Sequence, residues 1–303
     1  MKVVIAGGAG LLGRRIAARL LQRGDEVVVL SRSPAAGLPG RQVAWDGRTV
    51  GPWADELRGA ALINLAGAFV DRPPTAANID LLRRSRVEPT QALVAAAADL
   101  DTPPRVWLQA STLAIYGDTA ERILDETEPP ADGPAQMAGV ARPWEQAAAQ
   151  APTGRLVVMR SGIVLDRDSP VFRRLVTLVR CGLGGRIGSG RQWVSWIHIA
   201  DFLSVIELLL GDDGVDGVVH VTGPNPARNA ELMRGLRHVL HRPPAPPTPA
   251  PLLRLGAAML RSDPALALTG RRCVPRRLLD DGFAFAYPEL IPALRSLARR
   301  SAI

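Results

Sequence analysis

Three glycines near the start of this 303-residue chain are spaced for phosphate chemistry. In Gly7-Gly8-Ala9-Gly10-Leu11-Leu12-Gly13, Gly7 can take a backbone shape closed to other residues, and Gly10 lets a phosphate reach the main chain. Gly13 lets a helix pack closely on a strand. The same spacing also describes an ordinary strand–helix turn, so its setting decides. An apolar run precedes it at 2–6, Leu12, Ile16, Leu20 and Leu21 follow at helical spacing, and a second apolar run occupies 26–30. That order predicts a dinucleotide pyrophosphate held on the backbone of Gly7, Ala9, Gly10, Leu11, Leu12 and Gly13. The positive end of the helix would face it.

The next turn selects the dinucleotide. An Asp or Glu about 20 residues beyond the glycines holds the ribose 2′-hydroxyl of NAD. Here Ser31-Arg32-Ser33 occupies that place. A guanidinium flanked by two hydroxyls suits a 2′-phosphate, so the expected cofactor is NADP(H). A solvated surface arginine is the plainer alternative.

Other chemistry-bearing groups cluster at expected strand ends. The small residues of Asn64-Leu65-Ala66-Gly67 would let the backbone lie along a bound ribose. Trp45, Ala110 and Arg160-Ser161-Gly162 complete the expected cofactor contacts, with a strand-end salt bridge as the alternative for Arg160. Ser111 and Thr112 are hydroxyls that line a site or cap a strand. Tyr116, one of two tyrosines, can donate a proton as a phenol. His198 and Asp201 suggest an acid–base pair, although a histidine fixing a loop before a helix-start acid is the plainer interpretation. On the substrate side, Trp193 offers a flat surface, and Arg186 and Arg191 suit an anionic group. Core packing and solvent exposure are the respective alternatives. The four histidines lack metal-ligand spacing, so no metal is expected.

These groups need strands that end together. Strands are expected at 2–6, 26–30, 60–65, 105–110, 155–159, 192–198 and 218–221, with a further short strand ending near 43–46. Helices are expected at 79–100, 144–150, 171–179, 199–210 and 229–240. Residues 33–40, 118–134 and 182–190 read as loops, and 242–251 as an extended proline-rich connector. The alternation points to the α/β class, a Rossmann-type doubly wound parallel sheet with ligands at the C-terminal strand ends. Residues 1–165 and 191–222 would form the cofactor domain. Residues 166–190 and 223–303 would form a small, mainly helical substrate domain, its tail 252–303 apolar on one side and fit to close over a cleft.

Composition excludes several classes. A net charge of +8 invites nucleic acid, but the arginines are scattered and aromatics make up only 4%. No apolar run reaches membrane-spanning length. Two cysteines without a CxxC pair or a signal peptide fit a reduced, cytoplasmic protein.

The glycine turn, Ser111-Thr112-Leu113-Ala114-Ile115-Tyr116-Gly117 and Trp196-Ile197-His198-Ile199-Ala200-Asp201 together resemble the extended short-chain dehydrogenases, the NAD-dependent epimerase/dehydratase family. Gly182-Leu183-Gly184-Gly185, Ile187-Gly188-Ser189-Gly190-Arg191-Gln192, Pro226-Ala227-Arg228-Asn229 and the segment from Val274 to Phe285 resemble its atypical epimerase-like subfamily, the cell-division-inhibitor homologues. The resemblance spans essentially the whole chain. It implies a Rossmann domain, a small C-terminal substrate domain, bound NADP(H) and a homodimer. It also places Thr112 where the family hydrogen-bonds the reacting oxygen, with Ser111 second.

Two departures follow. The family's Tyr-x-x-x-Lys pair would fall on Met137 and Ala141, and Lys2 is the only lysine in the chain. Val194 stands where nucleotide-sugar epimerases carry an arginine for the diphosphate, with Arg191 the nearest substitute. The expected function is hydride transfer between NADP(H) and a small carbonyl or activated double bond, with epimerisation a weaker variant. The alternative is a catalytically silent NADP(H)-binding sensor or partner-binding protein.

Overall fold

Val3-Val4-Ile5-Ala6 and Val27-Val28-Val29-Leu30 are uninterrupted apolar runs, the pattern of strands buried on both faces. The computed structural model, which describes residues 1–33 and 35–298, makes them the inner strands of a seven-stranded sheet. In chain order the first half runs β1 (Lys2–Ala6), α1 (Leu11–Gln22), β2 (Glu26–Ser31), β3 (Arg41–Ala44), β4 (Ala61–Asn64), α2 (Ala76–Ala98) and β5 (Val106–Thr112). Then come β6 (Ile123–Leu124), α3 (Ala138–Ala148), β7 (Leu156–Ser161), β8 (Ile163–Leu165) and α4 (Pro170–Arg180). β9 (Trp193–Val194), β10 (Trp196–His198), α5 (Ile199–Gly211), β11 (Gly217–Val221), β12 (Ala227–Arg228) and α6 (Asn229–Val239) follow. The chain ends through α7 (Ala250–Met259), α8 (Ala265–Leu268), β13 (Arg272–Cys273), α9 (Arg276–Asp280) and α10 (Leu290–Ala298).

The sheet order is β11-β7-β5-β4-β1-β2-β3, parallel throughout. The connections diverge between β1 and β4, which opens the crevice where a doubly wound sheet takes its ligand. Ile16, Ala17 and Leu20 of α1 and Phe202, Val205 and Leu209 of α5 cover one face. Ala92, Leu93 and Ala96 of α2, with Trp45 and Trp53, cover the other. A separate core joins Phe172 and Val179 of α4, Leu232 and Leu236 of α6 and Leu294 and Leu297 of α10 around Trp196.

Several expected elements need correction. The strand at 192–198 is two pieces, β9 pairing with β12 and β10 with β8. The break falls at buried Ser195, whose hydroxyl donates to Arg271 O and accepts from Cys273 N. α2 starts three residues before 79, where Thr75 caps it by accepting from Asn78 N. α3 starts at Ala138 rather than 144 and tolerates Pro143 within it. α7 begins inside the supposed connector at Ala250, with Pro251 in its first turn where a missing N–H costs nothing. The tail from 252 is not all helix, because β13 pairs with β6, a short strand inside the loop 118–134. Residue 34 of the loop 33–40 and residues 299–303 of the tail lie outside the described residues.

Candidate cofactor and substrate site

Gly7 has φ +78°, and a Cβ there would meet Leu65 O and Ala66 N at 2.9 Å. Only glycine lets the first turn approach the loop after β4 this closely. A Cβ on Gly13 would lie 2.5 Å from Gly8 Cα, so helix and turn touch backbone to backbone. Gly10 differs: among the described residues beyond its chain neighbours, Gly7 O at 3.5 Å is the one atom within 4 Å of its would-be Cβ. It is the N-cap of α1, and no side chain caps that helix or places an acid in its first turn. The first-turn N–H groups therefore present an uncapped anion-binding end. Ala9, Leu11 and Leu12 are half-buried around it.

Arg32 follows directly on the end of β2 and is exposed, and it has no ion-pair or hydrogen-bond partner among the described residues. The Ser31 hydroxyl folds the turn, accepting from Ser33 N at 3.3 Å and donating to Ser33 O at 3.2 Å. Trp45 is buried against Trp53, with ring centroids 5.2 Å apart and no partner for its Nε1.

A buried polar network holds the loop after β4. Asn64 donates to Thr90 Oγ1 and Gln109 Oε1, and its Oδ1 accepts from Ala66 N at 3.1 Å. Beneath exposed Gly67 sits Arg86, whose Cζ would lie 3.0 Å from a Cβ at that position. Arg86 donates to Leu82 O and Ala68 O and stacks on Trp144 at 5.1 Å. No acid pairs with it among the described residues, and burial pushes its pKa down to about 10. The backbone of Leu65, Ala66 and Gly67 thus rests on a buried positive charge.

At the ends of β5, β7 and β11, in-register Ser111, Arg160 and His220 point to one face. Glu145 of α3 takes the Nε and Nη2 of Arg160 at 2.9 and 2.8 Å and the Ser111 hydroxyl at 2.5 Å. Arg160 Nη1 donates to the Tyr116 hydroxyl at 2.7 Å, which also meets His220 Nε2 at 2.7 Å. Arg160 therefore makes the strand-end salt bridge rather than reaching into the crevice, and its pair with Glu145 holds its pKa above the usual arginine range although burial opposes this. Tyr116, expected at the cleft, is buried with its phenol committed, and burial raises its pKa to about 12. Ser111 is likewise engaged.

Thr112 is placed differently. It is half-buried, and its Oγ1 accepts from Ala114 N at 3.1 Å, which leaves its hydroxyl hydrogen unassigned. Ser161 is its register neighbour on β7. Ala110, Ser161 and Gly162 are all half-buried at these strand ends. Gly162 must stay small, since a Cβ would lie 2.6 Å from Ser195 O.

The expected substrate residues scatter. Trp193 is stacked by Arg228 and Arg272, each 4.4 Å from its ring, and donates to Glu121. Arg191 is exposed and lies 3.6 Å from Glu121, while Arg186 donates to Gly188 O. His198 is a buried cap: Nδ1 accepts from Ala200 N at 3.1 Å, so Nε2 carries the hydrogen facing Ser296 Oγ at 3.0 Å. Asp201 accepts from Ala286 N and Tyr287 N. Both residues lock the start of α5 to the C-terminal segment and form no acid–base pair.

Burial lowers the pKa of His198 and of His220 to about 4. Each stays neutral when folded, while the unfolded chain takes up a proton below about pH 6.5. Their stabilising contribution is therefore complete above that pH and is lost as pH falls from 6.5 toward 4. His198→Asn keeps a capping side chain and removes one titration. Urea unfolding should show wild type losing stability relative to this variant by up to about 1.4 kcal/mol per pH unit in that window. Parallel curves would refute the assignment.

Sequence reasoning missed Glu145, His220 and the part played by Arg86. Arg86 left a usable signal, a charge sharing a helical face with Leu82 and Thr90. Glu145 and His220 left none, because their partners lie 15 to 104 positions away.

The parallel sheet, the uncapped helix start and the crevice beside β1 define a Rossmann-type nucleotide-binding protein. The chain matches the NAD dependent epimerase/dehydratase family over residues 3–139 and a domain of unknown function (DUF1731) over 248–297. Epimerase family protein SDR39U1 of Homo sapiens is 33% identical over 304 residues, 98% of this chain and 99% of that protein. YfhF of Bacillus subtilis is 29% identical over 98% of both chains. The crystal structure of human SDR39U1 (isoform 2) with NADPH aligns over 98% of this chain and 99% of that one, with a TM-score of 0.87 and 31% identity. A nucleoside-diphosphate sugar epimerase from Corynebacterium glutamicum aligns over 97% of this chain but 57% of its own, with a TM-score of 0.77 and 30% identity. This chain belongs to the NAD dependent epimerase/dehydratase family and carries the DUF1731 domain at its C-terminus.

Proposed function

We propose that the protein is an NADP(H)-dependent oxidoreductase of the atypical extended short-chain type. The uncapped start of α1, with Arg32, unpartnered among the described residues, at the end of the neighbouring strand, carries this proposal. The NADPH bound by the human relative supports it. Bound NADPH supplies a hydride to a carbonyl or activated double bond. The backbone of Gly7, Ala9, Gly10, Leu11, Leu12 and Gly13 binds the pyrophosphate, and Ser31, Arg32 and Ser33 hold the 2′-phosphate. Leu65, Ala66 and Gly67 lie along a ribose, and Ala110, Ser161 and Gly162 border the nicotinamide.

Thr112 directs its free hydroxyl hydrogen at the acceptor oxygen, and water delivers the proton because the Tyr116 phenol is occupied. Residues 1–165 and 191–222 act as the cofactor domain, and 166–190 with 223–303 as the substrate domain. The protein works as a cytoplasmic homodimer. Its two cysteines are unpaired, as a reducing compartment would leave them.

Thr112→Ala should lower turnover on a carbonyl panel about 10- to 100-fold while leaving NADPH affinity within about twofold. Unchanged turnover would remove Thr112 from the mechanism. One observation favours a silent NADP(H) sensor instead: α3 presents Met137 and Ala141 on its buried side, and neither exchanges a proton. Tight NADPH binding with no oxidation on any carbonyl would support that alternative.

A further inference from the structure

The guanidiniums of Arg15, Arg19 and Arg160 each present the Nε–Nη2 edge to both oxygens of a carboxylate: Asp166, Glu207 and Glu145 respectively. Arg271 presents the same edge to no anion among the described residues. Its Nε is buried without a hydrogen-bond partner. Its Nη2 has only Thr269 Oγ1 at 3.3 Å and the Met137 sulfur at 4.0 Å. The Cys273 thiol and the Asp118 carboxylate act on it through their fields rather than by contact, and Asp118 accepts from Gly270 N instead. A buried Nε with no acceptor, beside an Nη2 held only by a hydroxyl and a sulfur, is costly to keep, and an incoming anion would relieve it.

The position fits a ligand. The Arg271 N–H donates to Trp193 O, its carbonyl accepts from the Ser195 hydroxyl, and Thr119 N donates to neighbouring Gly270 O. Its main chain thus lies between β9 and the loop after β5, and its guanidinium reaches Met137 at the start of α3. Met137, its neighbour, is the cap residue of α3 and occupies the place expected for the family's tyrosine.

We propose that the Nε–Nη2 edge of Arg271 receives a carboxylate of the substrate, which makes the substrate class a small oxo acid. This names the substrate of the oxidoreductase proposed above and rests on that proposal. Met137, unbranched and flexible, is the side chain that moves aside as the acid enters. Two parallel donors match a carboxylate. Phosphate shares that geometry, so it serves as the competing arm of the test.

Calorimetric titration of the NADP⁺-loaded full chain, which cannot reduce them, with 2-, 3- and 4-oxo acids, their amides and inorganic phosphate tests this directly. At least one acid should bind about tenfold or more tightly than its amide. Arg271→Lys and Arg271→Met should abolish that preference while binding NADPH within about twofold of wild type. Acids and amides binding alike, phosphate outbinding every acid, or a preference kept in the folded variants would each overturn the proposal. If the variants fold poorly, the wild-type acid–amide comparison decides alone. Binding is read without NADPH oxidation, so the two proposals fail separately. An acid that binds through Arg271 without being reduced overturns the oxidoreductase. Amides reduced as well as acids overturn only the role of Arg271.

Discussion

Arg32→Ala should weaken NADPH binding about 10- to 100-fold and leave NADH binding within about twofold. The 2′-phosphate is the only chemical difference between the two dinucleotides, and a charge-assisted contact to it accounts for a loss of that size. Arg32 is suited to the task because it spends nothing on the fold: it is exposed and has no partner among the described residues. The Ser31–Ser33 hydrogen bonds shape the turn independently of the Arg32 side chain, so removing it should leave the fold intact. Arg32→Asp should go further and reverse the preference, since a carboxylate repels the phosphate and accepts from a ribose hydroxyl. Fluorescence titration with each dinucleotide reads both effects. Equal loss for NADPH and NADH would mean that Arg32 supports the fold, and no loss for either would make it a solvated surface charge.

Glu145→Gln should be the most destabilising single change in the site, by about 3–5 kcal/mol. It removes the carboxylate that takes two donors from Arg160 and one from Ser111, and leaves a buried guanidinium facing an amide. The pair ties α3 to β5 and β7, and through Tyr116 and His220 to β11 and to Val274 O beyond it. A double replacement, Glu145→Leu with Arg160→Met, should recover most of the loss because no charge is left stranded. Urea unfolding of Glu145→Gln, of Glu145→Leu and Arg160→Met singly, and of the double variant measures this. A Glu145→Gln loss below about 1 kcal/mol, the range of an exposed ion pair, would mean that the network is solvated.

The glycine turn was legible because its geometry is local. Gly7 and Gly13 lie within one turn, and their spacing, together with the apolar runs on either side, reports the close approach of strand, turn and helix. The parallel sheet was legible for the same reason, in runs such as Val27-Val28-Val29-Leu30. The substrate half was not. His198 looked chemically active until its partners, Ala200 N and Ser296 Oγ, were in view, the latter 98 positions away. Tyr116 and Arg160 looked like cleft residues, yet each is consumed by the other, Tyr116 also by His220 and Arg160 also by Glu145. Arg271 carried no signal among 36 arginines, because what distinguishes it is a buried Nε without a partner among the described residues, which only packing reveals. The strand break at Ser195 was hidden likewise, since the C-terminal segment 271–273 imposes it.

The most direct test is transfer of deuterium from [4-2H]NADPH, prepared with the label on either face, to a panel of oxo acids, read by mass spectrometry of the product alcohol. The expected result is label on the carbinol carbon from one face only, slowed in Thr112→Ala. Tight NADPH binding with no label in any product after prolonged incubation would contradict it, and would leave a dinucleotide-binding protein without chemistry.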